Sequence, residues 1–199
     1  SHLAEEALLR CYERDGWDEE AFALRKQRFW NHTRPDEWRA LLEVAEAAKQ
    51  DLPALRCEAE AMLIERESRP APLRGWLHGY QREAGPVVSQ RVQWLLLENR
   101  VLDALAAVQP PNACHPALLL ELATRLEPAQ DSQAFALCDR VVRQLMAQSN
   151  GRYDDAIDAA HMACKRLGET EARRYVEQLR VDFKAKRNFI KALGNVLDP

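Results

Sequence analysis

The sequence predicts an all-α fold, and two observations on composition and spacing lead to this prediction. The 199 residues include 30 alanines and 27 leucines, but only 3 isoleucines and 7 glycines. Alanine and leucine are the best apolar helix formers, whereas strands favour β-branched side chains. Apolar residues also recur at every third or fourth position, the spacing that gives a helix one buried face. We therefore expect about nine to eleven helices.

Four helices are predicted in the first third of the chain. Gly16 stops the first helix, and Asp18 caps the second. Thr33 supplies a capping hydroxyl for the third, and Asp51 starts the fourth, because short oxygen-bearing side chains satisfy the free N–H groups of a first turn. The ranges, in order, are 3–13, 18–31, 33–48 and 51 to beyond Leu63.

Residues 68–86 differ in composition from their surroundings. Three of the ten prolines and three of the seven glycines fall within these 19 positions. Such a density of helix breakers predicts a long irregular loop. The loop carries Trp76, His78 and Tyr80, whose rings could either anchor a partner or pack the loop onto the core.

Six helical segments are predicted after this loop. Very short links, such as Asn99-Arg100 and Gly168-Glu169, separate several of them. So short a turn forces consecutive helices into antiparallel hairpins. The segments are 87–98, 101–108, 116–127, 131–149, 152–167 and 169–196, the last with a bend near Arg187.

Two of the hairpins are similar in sequence. Residues 95–105 and 146–157 each end a helix at Asn or Asn-Gly, continue with Arg, and open the partner helix with an Asp-Ala-apolar triplet. This turn pattern is typical of tetratricopeptide-like repeats, although the strict 34-residue period is missing. We predict a single domain, 1–199, of hairpins stacked as a right-handed tetratricopeptide-like α-α superhelix. A generic helical bundle is the alternative.

Charge and length exclude several classes of protein. The net charge is −3 and the isoelectric point is about 6.0, which argues against a globally cationic nucleic-acid binder. Charges interrupt every apolar run before it reaches the roughly 18 residues of a membrane span. The first residues lack the pattern of a secretion signal, and the five cysteines lack the tight spacing of a disulfide framework. We therefore expect a soluble cytoplasmic protein without a membrane partner.

A family resemblance covers most of the chain. Its motifs are Phe22-x-x-Arg25-x-x-x-Phe29, Thr33-x-Pro35 and Trp38-x-x-Leu41, then Cys138 to Val142, Gly151 to Ala156 and Lys184 to Ile190. This pattern resembles the α-helical region that follows the zinc finger in bacterial SWIM zinc-finger proteins and related uncharacterised families. The zinc-binding CxC and CxH pairs of that finger are absent from this sequence. The resemblance implies the helical part of a longer protein with a non-enzymatic interaction role, and nucleic-acid transactions are one setting that it implies for this role.

Candidate catalytic and metal-binding residues are few. His161 and Cys164 lie one helical turn apart and could form half of a metal site, but Cys164 also belongs to an apolar stripe. Cys114 and His115 could suggest a nucleophile beside a base, although adjacent residues seldom face one substrate atom. The common nucleophile, phosphate-loop, zincin and dinucleotide motifs are missing. We expect no catalytic residue, no metal and no cofactor.

Charge is distributed unevenly along the chain. Residues 173–191 hold seven basic and two acidic side chains, whereas residues 1–20 hold seven acidic and two basic ones. The basic residues could simply be solvated, or could bind an acidic protein surface, the acidic N-terminus of a neighbouring copy, or a nucleic-acid backbone. The candidate binding residues are Arg173, Arg174, Arg180, Lys184, Lys186 and Arg187.

Together these observations favour a non-catalytic interaction domain. A stack of helical hairpins offers a groove that could receive a peptide or a partner helix. A protein or peptide is thus the expected partner. The alternative is a nucleic-acid accessory module that uses the basic C-terminal helix.

Overall fold

The fold is all-α, as the composition predicts. The computed structural model describes residues 2–68, 85–147 and 153–194, and within these ranges it contains eleven α-helices and no strand. One isolated parallel bridge joins Val87 to Ala113. Most of the loop predicted at 68–86, including Trp76, His78 and Tyr80, lies outside the described residues.

The helices are numbered in chain order. Their bounds are α1 His2–Asp15, α2 Asp18–His32, α3 Pro35–Ala47, α4 Leu52–Glu67, α5 Ser89–Leu97, α6 Val101–Ala107, α7 Pro116–Arg125, α8 Asp131–Ala147, α9 Tyr153–Cys164, α10 Glu169–Asp182 and α11 Arg187–Leu193. A 3-10 turn, Pro128–Gln130, precedes α8. The final predicted segment is thus two helices, separated by the turn 183–186.

The chain divides into two compact units, an N-terminal unit of residues 1–70 and a C-terminal unit of residues 71–199. The first holds α1–α4 and the second holds α5–α11. The single domain of residues 1–199 and the right-handed superhelix both stay predictions.

The core of the N-terminal unit forms mainly where α2 packs on α3. Phe29 and Trp38 are both almost fully buried, with ring centroids 4.9 Å apart. Leu41 and Ala45 continue the buried face of α3 at the predicted spacing. Two large aromatic rings buried in contact stabilise this core through their apolar area and, beyond that, by about 0.5–1.5 kcal/mol through the contact of the rings.

The core of the C-terminal unit is built around the contact between α8 and α9. Helix α9 buries four alanines along one face, Ala156, Ala159, Ala160 and Ala163. Helix α8 presents larger side chains to the interior, among them Val141, Val142 and Met146. Small residues on one helix let the larger ones of its neighbour fit between its turns, so the two helices pack closely.

Two of the predicted helix starts are wrong. Asp18 is the first residue of α2 rather than its cap, because Trp17 takes the cap position without a side-chain hydrogen bond. Thr33 ends α2 in a left-handed conformation, φ 46°, and Arg34 is the residue that precedes α3. The cap at Asp51 is confirmed, since its carboxylate accepts a hydrogen bond from the Ala54 N–H at 3.0 Å.

Arginine side chains bind the carbonyls at the ends of several helices. Each guanidinium belongs to a later part of the same unit and donates to carbonyls in or just after the last turn of an earlier helix, where helical acceptors run out of partners. The exception is the Asn112 carbonyl, which lies in the loop after α6. The pairs are Arg66 with Trp30, Arg125 with Leu96, Arg140 with Val108 and Asn112, and Arg166 with Ala123 and Leu126. These arginine–carbonyl contacts fasten the ends of α2, α5, α6 and α7.

None of the helices in the described ranges is both long and apolar enough to cross a membrane.

Candidate functional site

The basic surface consists of the six predicted residues Arg173, Arg174, Arg180, Lys184, Lys186 and Arg187. The three arginines at 173, 174 and 180 lie on α10, and Arg187 begins α11. Lys184 and Lys186 lie in the turn between these helices. The basic residues therefore continue from one helix through a turn into the next, and do not follow one straight helix.

The buried face of α10 determines which side chains reach solvent. Ala172, Tyr175, Val176 and Leu179 are buried, at the three- and four-residue spacing of one helix face. Arg174 lies on the opposite side and is exposed, and Val181 is 66% exposed. The solvent face of α10 therefore combines cations and carboxylates with one exposed apolar side chain.

Two of the six cations are already paired. Arg173 contacts Glu169 at 2.5 Å, and Arg180 contacts Glu177 at 2.5 Å, all on the surface of α10. Exposed pairs of this kind add little stability, but they cancel charge locally. Within the described residues, Arg174, Lys184, Lys186 and Arg187 have no ion-pair partner. These four residues supply the net positive charge of the basic surface.

A polar network between α8 and α10 holds this surface in place. The Tyr175 hydroxyl donates to Asp139 at 3.1 Å, and Arg143 contacts the same carboxylate at 2.8 Å. Arg143 also reaches Asp182 at 3.1 Å, at the end of α10. Burial and the neighbouring Asp139 carboxylate raise the pKa of Tyr175 well above its ordinary value, because both disfavour the phenolate. Hydrogen bonds from Gln178 and Arg143 lower the pKa of Asp182.

Aromatic residues among the cations face the interior. Phe189 is fully buried and Tyr175 nearly so. Phe183 packs edge-on against Phe189, with centroids 5.7 Å apart. The rings that alternate with the cations in sequence therefore anchor α10 and α11, and a ligand on the surface would meet the cations first.

The thiol and imidazole candidates are used structurally. His115 precedes α7, and its Nδ1 accepts from the Ala117 N–H at 3.3 Å, while Cys114 is buried. Burial raises the pKa of Cys138 to about 11 and also raises that of Cys164. A thiol is nucleophilic and metal-binding as the thiolate, which burial disfavours. In the described part of the chain, no group of three or more His, Cys, Asp or Glu residues could hold a metal ion.

A second surface, not singled out in the sequence, lies between α2 and α4. This α2–α4 groove has a volume of about 410 Å³ and is lined by Trp30, Glu58, Ala61, Met62, Glu65 and Arg66. At its edge the Lys26 ammonium lies 5.2 Å from the centre of the Trp30 ring and 2.7 Å from a Glu58 oxygen. Lys26 also lies 5.9 Å from the centre of the Phe22 ring. Two aromatic rings and a carboxylate thus surround one ammonium group.

A signal for this arrangement was present in the sequence. Phe22, Lys26 and Trp30 are spaced four residues apart, which places them on one face of α2. The missing information was Glu58, which is 32 residues further along the chain than Lys26. Only the packing of α4 brings the carboxylate to that face.

Comparisons with protein-family models, with curated proteins and with solved structures found no match to this chain.

Proposed function

We propose that this chain is a non-catalytic protein-interaction domain whose basic surface binds an acidic segment of a partner protein. The observation that carries the proposal is the set of four cations without an ion-pair partner among the described residues, on α10, at the start of α11 and in the turn between them. A polar network fastens α10 to α8. Cations held on an ordered backbone lose less conformational entropy on binding than cations on a loose tail.

The composition of the surface favours a protein partner. The exposed Val181 on the same helix gives an acidic segment with apolar side chains something to pack against. Tyr175 and Phe189 of this region are buried and Phe183 is half-buried, so little ring surface is left for the stacking that single-stranded nucleic acids use. Exposed charge pairs contribute only about 0.2–1 kcal/mol each, so we expect modest affinity with a strong dependence on salt.

The non-catalytic part of the proposal rests on the same residues as the site description. The His115 nitrogen is taken by a backbone N–H, and the pKa of Cys138 is about 11. We also keep, as a proposal, the relationship to the helical region of SWIM zinc-finger proteins and a cytoplasmic location.

Binding of a labelled polyglutamate peptide, followed by fluorescence anisotropy, tests the proposal. We expect the triple variant Arg174→Glu, Lys184→Glu, Arg187→Glu to bind at least about tenfold more weakly, because three attractions become repulsions. The matched control reverses three exposed cations of the N-terminal unit, Arg10, Arg39 and Lys49, and should bind like the original protein.

The same assay with duplex and single-stranded DNA separates the two functions. If DNA binds more tightly than the peptide and the same triple variant abolishes this binding, the nucleic-acid alternative replaces the proposal. Equal loss of peptide binding in the control variant would mean that the net charge of the chain, and not the basic surface, attracts the peptide.

A further inference from the structure

The α2–α4 groove carries an inference that is independent of the basic surface. The contacts of Lys26 indicate which kind of ligand the edge of the groove accepts. The Lys26 ammonium group lies over two rings and contacts Glu58 at 2.7 Å. An ammonium group over an aromatic face is attracted by the electron density of the ring, and a carboxylate beside it adds a charged hydrogen bond.

The ammonium group can be exchanged for another. The Lys26 side chain is 31% exposed and that of Glu58 is 51% exposed. Both are reached by solvent, so the contact is of the surface type that contributes little to stability and costs little to break. A second ammonium group could therefore replace that of Lys26 between Trp30 and Glu58 without unfolding either helix.

The rest of the groove suits a peptide that bears an ammonium group. Ala61 and Met62 form an apolar part of the lining. Glu65 adds a second carboxylate, and the guanidinium of Arg66, also in the lining, donates to the Trp30 carbonyl. Glu58 and Glu65 are seven residues apart on α4, which corresponds to about 10 Å along the helix axis. The N-terminal unit that holds the groove is acidic as a whole, since its described residues 2–68 carry 16 acidic and 10 basic side chains.

We propose that the α2–α4 groove binds a lysine-bearing segment of a partner protein. One lysine of the partner takes the place of Lys26 between Trp30 and Glu58, and an apolar neighbour in the partner packs on Ala61 and Met62. Lys26 is then an internal competitor, which keeps the site filled until a partner binds.

The decisive experiment measures the affinity of a short peptide, acetylated and amidated at its ends, in which lysine alternates with leucine. Calorimetric titration into the full chain should give weak binding to the original protein. Lys26→Met should increase the affinity about two- to tenfold, because it removes the competing ammonium. Lys49→Met is the matched control, since it removes the same charge from an exposed position outside the groove and should leave affinity nearly unchanged.

Two further variants should weaken peptide binding, because each removes a group that contacts the ammonium. Glu58→Gln removes the carboxylate charge, and Trp30→Leu removes the ring but keeps an apolar side chain. Each should weaken binding about two- to fivefold. Circular dichroism of the three groove variants verifies that they fold, and a peptide with norleucine in place of lysine should not bind.

Several results would overturn the proposal. They are an unchanged or lower affinity in Lys26→Met, equal binding of the norleucine peptide, or the same gain in Lys49→Met. Self-association of the original protein that is lost in Glu58→Gln would assign the groove to a second copy of the chain. Because the basic surface is tested with an acidic peptide and other variants, either proposal can fail without the other.

Discussion

The guanidinium of Arg28 donates a hydrogen bond to the Glu37 carboxylate at 2.6 Å in the interior of the N-terminal unit. Both side chains are less than a tenth exposed, at 5% and 8%. Arg28 also contacts Glu6 at 2.7 Å, so one residue of α2 links carboxylates of α1 and α3. The three helices are joined by charge at a position where the rest of the interior is apolar.

Removing one member of the triad Glu6, Arg28 and Glu37 should lower the stability of the protein considerably. We expect Arg28→Met to lower the free energy of unfolding by about 3–5 kcal/mol, because it leaves the Glu37 charge buried without its cation. The double variant Arg28→Met, Glu37→Leu should recover part of this loss. Urea unfolding followed by circular dichroism measures both, and a double variant less stable than the single one would contradict the explanation.

The arginine–carbonyl contacts predict a second effect on stability. Arg140 donates to the Val108 carbonyl at 2.6 Å and also to the Asn112 carbonyl. We expect Arg140→Met to lower the free energy of unfolding by about 1.5–3 kcal/mol, the range for hydrogen bonds that involve a charged group. Arg140→Lys should recover only part, since an ammonium lacks the planar fork that serves two acceptors.

The control for this prediction is Arg174→Met, at an exposed position of the basic surface. Its effect on the free energy of unfolding should stay within about 0.5 kcal/mol. Equal losses in Arg140→Met and Arg174→Met would mean that the carbonyl contacts contribute nothing specific.

The cysteines should differ sharply in reactivity. Cys11 and Cys57 are exposed, whereas Cys138 is buried and its pKa is raised to about 11 by burial. At about pH 8 the native protein should therefore be alkylated by iodoacetamide at the two exposed thiols, while Cys138 reacts only after unfolding. Peptide mapping by mass spectrometry follows each site. Alkylation of Cys138 at the rate of Cys11 in the folded protein would show that this part of the core opens readily.

Stability should fall in alkaline solution because of Tyr175. Its pKa is raised above the ordinary value of 10.0, so above that pH the unfolded chain loses the phenol proton before the folded chain does. The stability that this group contributes is present below about pH 10 and is lost as the pH rises toward its folded value.

The variant Tyr175→Phe isolates this contribution. At neutral pH we expect it to be less stable by about 1 kcal/mol, because the hydrogen bond to Asp139 is lost. Above about pH 10 the difference between the two proteins should shrink, as measured by urea midpoints across the pH range. A difference that is constant with pH would contradict the assignment of the shift to Tyr175.

Local signals in the sequence were enough to predict the helices but not all of their ends. Apolar residues at helical spacing predicted the buried face of α3, because burial is decided there by residues a few positions apart. On α9 the prediction was wrong: Cys164, assigned to an apolar stripe, is only half-buried, and the interior face consists of Ala156, Ala159, Ala160 and Ala163. Thr33 was misassigned, because its left-handed conformation at the end of α2 depends on how the chain enters α3. A hydroxyl two residues before a proline looks the same in both roles.

The candidate sites divide in the same way. The charge of the basic surface could be counted in the sequence, and the pairing of Arg173 with Glu169 has the local four-residue spacing of a helix. The inward orientation of Phe189 depends instead on which face of α11 is buried. The Lys26–Glu58 contact joins residues 32 positions apart. No local pattern specifies such a pair, since it forms only when α4 has packed beside α2.

The arginine–carbonyl contacts also bear on how the protein is made by the ribosome. Arg125 is 29 residues beyond the carbonyl that it binds, and Arg166 is 40 residues beyond the Leu126 carbonyl. During synthesis, the carbonyls at the end of each earlier helix therefore lack this donor until the later arginine has been added to the chain. The arginine–carbonyl contacts at the ends of α5 and α7 therefore form one after the other, in the order in which Arg125 and Arg166 leave the ribosomal exit tunnel.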